Sequence, residues 1–260
     1  MHAGALLPLL IAGLFGALIG SFLNVCIYRL PRQESIAWPG SHCPTCSSPI
    51  AWYDNIPILS YIVLAGRCRH CAVHIPFRYP LVEILNAAGY VGLLWFFGPS
   101  WAAGAYGVLY SALLVVAGTD LSHKIIPNAV TFPGIIVGLI CAVTVLPLGV
   151  VDSVLGVLVG GGILWLLAWA SPYLFGKEGM GGGDIKLMAM IGAFLGWKSA
   201  LMTIMIGSLL GSFVGITLIA AQVIKREEYI PFGPFLVCGA LATLFFGQSI
   251  LAWYQGLLAG

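Results

Sequence analysis

Apolar residues in this chain come in long runs, not in the alternation of a strand or the stripe of a surface helix. Uncharged stretches of about 20 residues recur from end to end, the length a helix needs to cross roughly 30 Å of hydrocarbon. Lipid offers a backbone no hydrogen-bond partner, so such runs are expected to be helical. Their boundaries predict eight spans, at roughly 4–28, 80–98, 101–119, 128–147, 150–172, 184–197, 199–222 and 232–254. The sixth is short, and reads as tilted, half-buried or re-entrant. Gly98-Pro99, Pro127-Asn128, Pro147, Pro172 and Pro231 punctuate the series. Residues 1–8 carry no basic segment ahead of the first run, so a retained span is expected rather than a cleaved signal.

Composition agrees with this pattern. Of 260 residues, 60% are hydrophobic and 8% charged, against about 25% charged in a soluble domain. The fold class expected is an all-α polytopic membrane protein of about eight helices. A net charge of +2 leaves no electrostatic footprint for nucleic acid. The placement of the charges says more. With the N-terminus outside, segments 29–79, 120–127, 173–184 and 223–231 share one side. Those segments and their edges hold Arg29, Arg32, Arg67, Arg69, Arg78, Lys124, Lys177, Lys186, Lys225 and Arg226, and of the eleven basic residues only Lys198 falls opposite. That asymmetry marks the side as cytosolic. Among the 34 glycines, Gly16–Gly20 and Gly207–Gly211 form small-xxx-small pairs, expected to pack helices within one bundle.

The loop from Arg29 to Tyr79 is the one sizeable polar piece, and at about 50 residues it is too small for a generous core. It contains Cys43-Pro-Thr-Cys46 and Cys68-Arg-His-Cys71, with 21 residues between the pairs. Two such knuckles predict a four-thiolate zinc site that is closed and structural. Zinc would supply folding energy the small core lacks. Two disulfides are the alternative, disfavoured in a reducing cytosol. His42, His70 and His74 flank the knuckles and could replace a ligand, although four cysteines suffice. Cys26, Cys141 and Cys238 lie in apolar runs as packing residues.

Two carboxylates stand at span ends on the cytosolic side. Asp120 closes the third span, in Gly118-Thr119-Asp120-Leu121, and Asp184 opens the sixth, after Gly181-Gly182-Gly183. Ionisable groups at membrane depth are candidate functional residues. A carboxylate pair sharing one proton can hydrolyse a peptide bond with no metal and no covalent intermediate. One member takes a proton from water while the other polarises the scissile carbonyl. Glycines before Asp184 would let backbone approach an extended substrate and take unusual dihedral angles. The plainer reading is a helix cap, which Asp184 in particular would suit. Asp152 reads as a cap on the outer side, and Glu83 as the partner of a loop arginine.

These segments together resemble the type IV prepilin peptidases, which are aspartic membrane proteases of the GxGD type. The resemblance spans nearly the whole chain. It runs through Gly20-Ser21-Phe22-Leu23-Asn24-Val25, Tyr28-Arg29-Leu30-Pro31, Pro39-Gly40-Ser41-His42-Cys43-Pro44-Thr45-Cys46, Asn55-Ile56-Pro57, Gly66-Arg67-Cys68-Arg69-His70-Cys71, Arg78-Tyr79-Pro80-Leu81-Val82-Glu83 and both aspartate segments. It implies cleavage of a basic prepilin or pseudopilin leader after a glycine, on the cytosolic side, in pilus or type II secretion systems. It also implies N-methylation of the new terminus with S-adenosylmethionine. By the same resemblance Asp120 and Asp184 are the catalytic pair, and Cys43, Cys46, Cys68 and Cys71 bind zinc in the part linked to methyl transfer. The implied organisation is a first span over 1–28, a cytosolic zinc-binding domain over 29–79 and a membrane-embedded peptidase over 80–260. The implied location is the bacterial inner membrane, with a periplasmic N-terminus. Some members of the family the chain resembles lack the cysteine loop and only cleave. A transporter using both aspartates for ions, and a scaffold docking partners on its knuckles, are the competing readings. The first leaves the cysteines unexplained and the second leaves the aspartates unexplained.

Overall fold

The computed structural model describes residues 3–176, 181–225 and 230–259. Lys177 and Arg226, counted above on the basic side, lie outside them. Helices account for nearly all regular structure: α1 (Ala3–Arg29), the short α2 (Leu59–Val63), α3 (Arg78–Phe97), α4 (Trp101–His123), α5 (Asn128–Thr144), α6 (Val150–Phe175), α7 (Gly182–Ala220) and α8 (Gly233–Ala259). Six are long and apolar enough to cross a membrane, and α5 is a shorter apolar helix. Among the described residues there is no strand beyond two isolated bridges. The chain is therefore an all-α, multi-pass membrane protein.

The eight predicted segments are present, because α7 contains two of them. Its 39 residues are broken at Gly196, where φ is 79° and ψ is 173°, a conformation that glycine alone adopts without steric cost. Met188 and Ala200 both lie against Gly160 of α6. In one straight helix those residues would be about 18 Å apart, so the chain folds back at Gly196 into limbs 182–195 and 197–220. The first limb would be only about 20 Å long, short of a full crossing.

The chain divides into two compact units, Met1–Val115 and Val116–Gly260. In the first, α1 lies along α3. Gly16 and Gly20 meet the α3 backbone at Asn86-Ala87 and at Glu83, which is the packing use expected of that pair. Buried polar groups join the helices: Asn86 Nδ2 donates to the Gly16 carbonyl at 2.7 Å, and Ser111 donates to Asn86 Oδ1 at 3.1 Å. Tyr110 reaches from α4 to the Leu85 carbonyl at 2.9 Å. A Cβ at Gly20 would fall 2.7 Å from the Glu83 Cα. Gly20→Ala is therefore expected to cost about 1–3 kcal/mol by prying α1 from α3, seen as a lower melting temperature in detergent. An unchanged melting temperature would show that the contact is loose.

In the second unit the first limb of α7 is the centre. Leu187, Met188, Met190, Ile191 and Phe194 are fully buried. Gly156 of α6 and Gly192 of α7 meet backbone to backbone, the close approach that small residues give membrane helices. Gly207 and Gly211 lie on Phe235 of α8, again as packing within the bundle. Asp152 is not a cap. Gly149 takes that position, and Asp152 accepts a hydrogen bond from the Trp197 indole at 3.2 Å.

Candidate functional sites

Two constellations carry chemistry, one in each unit. In the second unit, Asp120 lies in the last turn of α4 and Asp184 in the first turn of α7. They are 3% and 4% exposed, and their charges interact across the site. Like charges brought together out of water are costly, so an arrangement serving only stability would not be expected to collect them. Asp120 Oδ2 accepts the Gly233 amide hydrogen at 2.9 Å, in a buried contact at the start of α8. A Cβ at Gly233 would sit 2.6 Å from that oxygen, so only glycine leaves room. The Asp184 carboxylate folds back onto the Gly181 amide, the reciprocal half of a capping box, while Gly181 itself is the cap residue. The cap reading is thus half right, since Asp184 supports the helix start without being its cap. Ile126 fills the space between Gly183 and Gly233. Lys186 turns away and donates to Asn128 Oδ1 at 2.8 Å.

The glycine run before Asp184 needs one correction. Gly181 has φ −76° and ψ 143°, Gly182 and Gly183 begin the helix, and none of the three has a positive φ. Only Gly183 serves a close approach, taking Ile126 against its backbone, whereas Gly182 faces open space. Gly233 was missed by sequence reasoning. It acts through its amide, and its one trace is a glycine between prolines, Pro231-Phe232-Gly233-Pro234.

In the first unit Cys43, Cys46, Cys68 and Cys71 place their sulfurs within 4.8 Å of one another. All four are free cysteines, and Cys43 Sγ and Cys71 Sγ are 3.8 Å apart, far beyond a disulfide bond of about 2.05 Å. Zinc–sulfur bonds of about 2.3 Å in a tetrahedron give sulfur–sulfur edges of about 3.8 Å, so this donor set fits such an ion. The knuckles repeat one another at a fixed offset. The Cys43 amide donates to Ser48 and the Ile50 amide to Ser41, as the Cys68 amide does to Val73 and the Ile75 amide to Gly66. Ser47 and Ala72 occupy the same left-handed turn position, with φ of 56° and 57°. Hydrogen bonds from Ser48 draw the Cys46 thiol down to about 6, and backbone amides of Cys71 and His70 lower Cys68. Against the Val73 amide, burial and the three neighbouring sulfurs push Cys71 up to about 12. Four sulfurs this close could hold a metal ion among them.

Residues 14–97 match the Bacterial Peptidase A24 N-terminal domain, and residues 107–216 match the Type IV leader peptidase family. A protein of Aeromonas hydrophila is 38% identical over 265 residues, covering 93% of this chain and 91% of its own length. One of Pseudomonas aeruginosa is 36% identical over 266 residues, with 93% and 91% covered, and one of Xanthomonas campestris is 36% identical over 266 residues, with 94% and 92% covered. All three are named prepilin leader peptidase/N-methyltransferase. The chain belongs to the type IV leader peptidase family. No solved structure matches it.

Other residues of this leader peptidase family chain fall differently from expectation. Glu83 does not serve a loop arginine. It is 8% exposed, and its Oε2 accepts the Ile58 amide at 2.7 Å. Arg69 pairs instead with Asp54 at 2.6 Å, and that hydrogen bond holds the Asp54 carboxyl below its usual range. Such an exposed pair orders the loop more than it stabilises it. His42, His70 and His74 line a cavity beside the knuckles.

Proposed function

We propose that this chain cleaves the basic leader of prepilins and pseudopilins after a glycine, and then methylates the new N-terminus. Asp120 and Asp184 are the catalytic pair in this reading, and Cys43, Cys46, Cys68 and Cys71 hold a structural zinc. The functional division is a first span over 1–28, a zinc-binding region over 29–79 linked to methyl transfer, and a peptidase over 80–260. The distribution of Lys and Arg favours a periplasmic N-terminus and a cytosolic active site, in the bacterial inner membrane. The substrate's basic leader lies in the cytosol, and its apolar helix comes through lipid.

One observation carries the peptidase reading: two aspartates from distant segments are both buried and interact with one another, and one of them is fixed by a backbone amide. A carboxylate draws a proton from water, whose oxygen attacks the scissile carbonyl carbon. The partner acid gives its proton toward the carbonyl oxygen. Collapse of the tetrahedral species breaks the carbon–nitrogen bond, and the amine leaves with a proton from the pair. For the second reaction, S-adenosylmethionine when bound supplies an electrophilic methyl group. The chain's own part is to hold the free amine and keep water away.

The test is incubation of purified protein in detergent with a prepilin and S-adenosylmethionine, followed by mass spectrometry. Loss of the leader plus 14 Da on the mature terminus (the mass of one CH₂) is expected. Cleavage without added mass would leave a peptidase alone, and an intact prepilin would sink the assignment. A further outcome follows at Gly233. Gly233→Ala presses a methyl onto the Asp120 carboxylate, and leader cleavage is expected to fall roughly 10–100-fold. Methylation of a pre-cleaved pilin peptide should be unchanged. Wild-type cleavage in that variant would show that the amide contact is incidental.

A further inference from the structure

We propose that the cavity between the cysteine loop and the loop-side ends of α1 and α3 binds the sulfonium methyl donor, with Glu83 facing its positive charge. The inference rests on the methyltransferase reading above and adds a location and a residue to it.

The cavity has a volume of about 260 Å³, near the lower end of small-molecule pockets. It lies within the first unit, and both knuckles contribute to its wall. Two of its lining groups are ionisable with opposite sign and are more than nine-tenths buried, Arg29 at 7% and Glu83 at 8% exposed. Arg29 gives its terminal nitrogens to the carbonyls of Ser35 and Gly40, at 2.9 and 3.2 Å. Glu83 accepts from the Ile58 amide and the Ser21 hydroxyl. Those partners orient the two side chains but bring no opposite charge to either. A buried ion with only neutral partners is a costly arrangement, and in a cavity it marks a place for a charged ligand.

The donor matches this lining. Its methionine end carries a carboxylate for Arg29, and its ammonium and sulfonium groups suit Glu83. Tyr61 and Tyr79 also line the space and offer ring faces to a flat heterocycle. The dependence on the cysteines becomes physical here, because the ion that holds the knuckles also holds a wall of the cavity.

The experiment is equilibrium binding to the purified full chain of three probes: S-adenosylmethionine, its ammonium analogue sinefungin, and the neutral thioether S-adenosylhomocysteine. The wild type is expected to bind both cationic probes at least fivefold more tightly than the thioether. Glu83→Gln keeps the acceptor for Ile58 and should bring all three to similar affinity, while leader cleavage persists as the sign of a folded chain. Undiminished preference for the cations in a cleaving Glu83→Gln protein overturns the assignment. Photo-crosslinking of labelled donor to the wild type, read by peptide mapping, decides independently of any variant. Label on the peptides bearing Tyr61 or Tyr79 supports the cavity. Methylated pilin with label mapped elsewhere overturns the cavity and leaves the methyltransferase reading standing. Unmethylated pilin with no label overturns both.

Discussion

Asp120→Asn and Asp184→Asn proteins are expected to insert, fold and bind prepilin, yet cleave it at least about 10³-fold more slowly than wild type, in keeping with loss of a general acid or base. Asparagine is the informative replacement. Its Oδ1 can still accept the Gly233 amide at position 120 or the Gly181 amide at position 184, so the local hydrogen bonds survive. If either aspartate only supported a helix end, asparagine would serve nearly as well, since it ranks with aspartate as a cap. Removing one of two buried like charges should leave the melting temperature unchanged or raise it, as expected where a site is kept for chemistry at the expense of stability. Methylation of a pre-cleaved pilin peptide should continue in both variants. Full cleavage by either variant would remove the catalytic assignment. Full cleavage together with an unchanged melting temperature would favour the helix-end role.

Both sites were legible in the sequence to different depths, and the difference has a physical cause. The cysteine spacing alone specifies a four-sulfur cluster, because each knuckle is a local structure closed by its own backbone bonds, Cys43 to Ser48 and Cys68 to Val73. The aspartates could be named, but their meeting depends on how α4 and α7 pack, which no local pattern encodes. Gly233 was invisible for a related reason: it contributes an amide, which every residue but proline has, and an absence of side chain, which 34 glycines share. The fold-back at Gly196 was half legible. Two apolar segments could be separated, yet a reversal made by a single residue leaves no polar loop to mark it. Glu83 was misjudged because a loop rich in arginine offered a simple partner, whereas the structure gives it the Ile58 amide and an enclosed space. In each case the miss lies where function depends on backbone or on a cavity, neither of which has a residue signature.

Replacing Cys43 by serine should separate the two activities in the opposite sense. The loop between α1 and α3 has little apolar burial of its own to hold it. Neither its α2 helix nor the turn Trp52–Asn55 contains a buried residue, and large side chains such as Trp38, Trp52 and Phe77 are exposed. A four-cysteine zinc site contributes about 10–16 kcal/mol of apparent binding energy in small metal-stabilised folds, more than a loop this size can replace by burial. Cys43 is the buried member of the four, so serine there removes both a ligand and the loop's best-buried apolar side chain. The variant should purify with no zinc where the wild type carries one ion per chain, as read by elemental analysis. Its loop should be cut by protease at concentrations that spare the wild type. Mature pilin from cells carrying it should have lost its leader but gained the methyl group in fewer than about one molecule in ten, a deficit of roughly 1.4 kcal/mol or more in relative rate. Cleavage should persist, because Asp120, Asp184 and Gly233 belong to a unit with its own core of α5, α6, α7 and α8. Normal methylation by a zinc-free protein would make the knuckles dispensable for methyl transfer and would detach the cavity at Glu83 from the ion that shapes it.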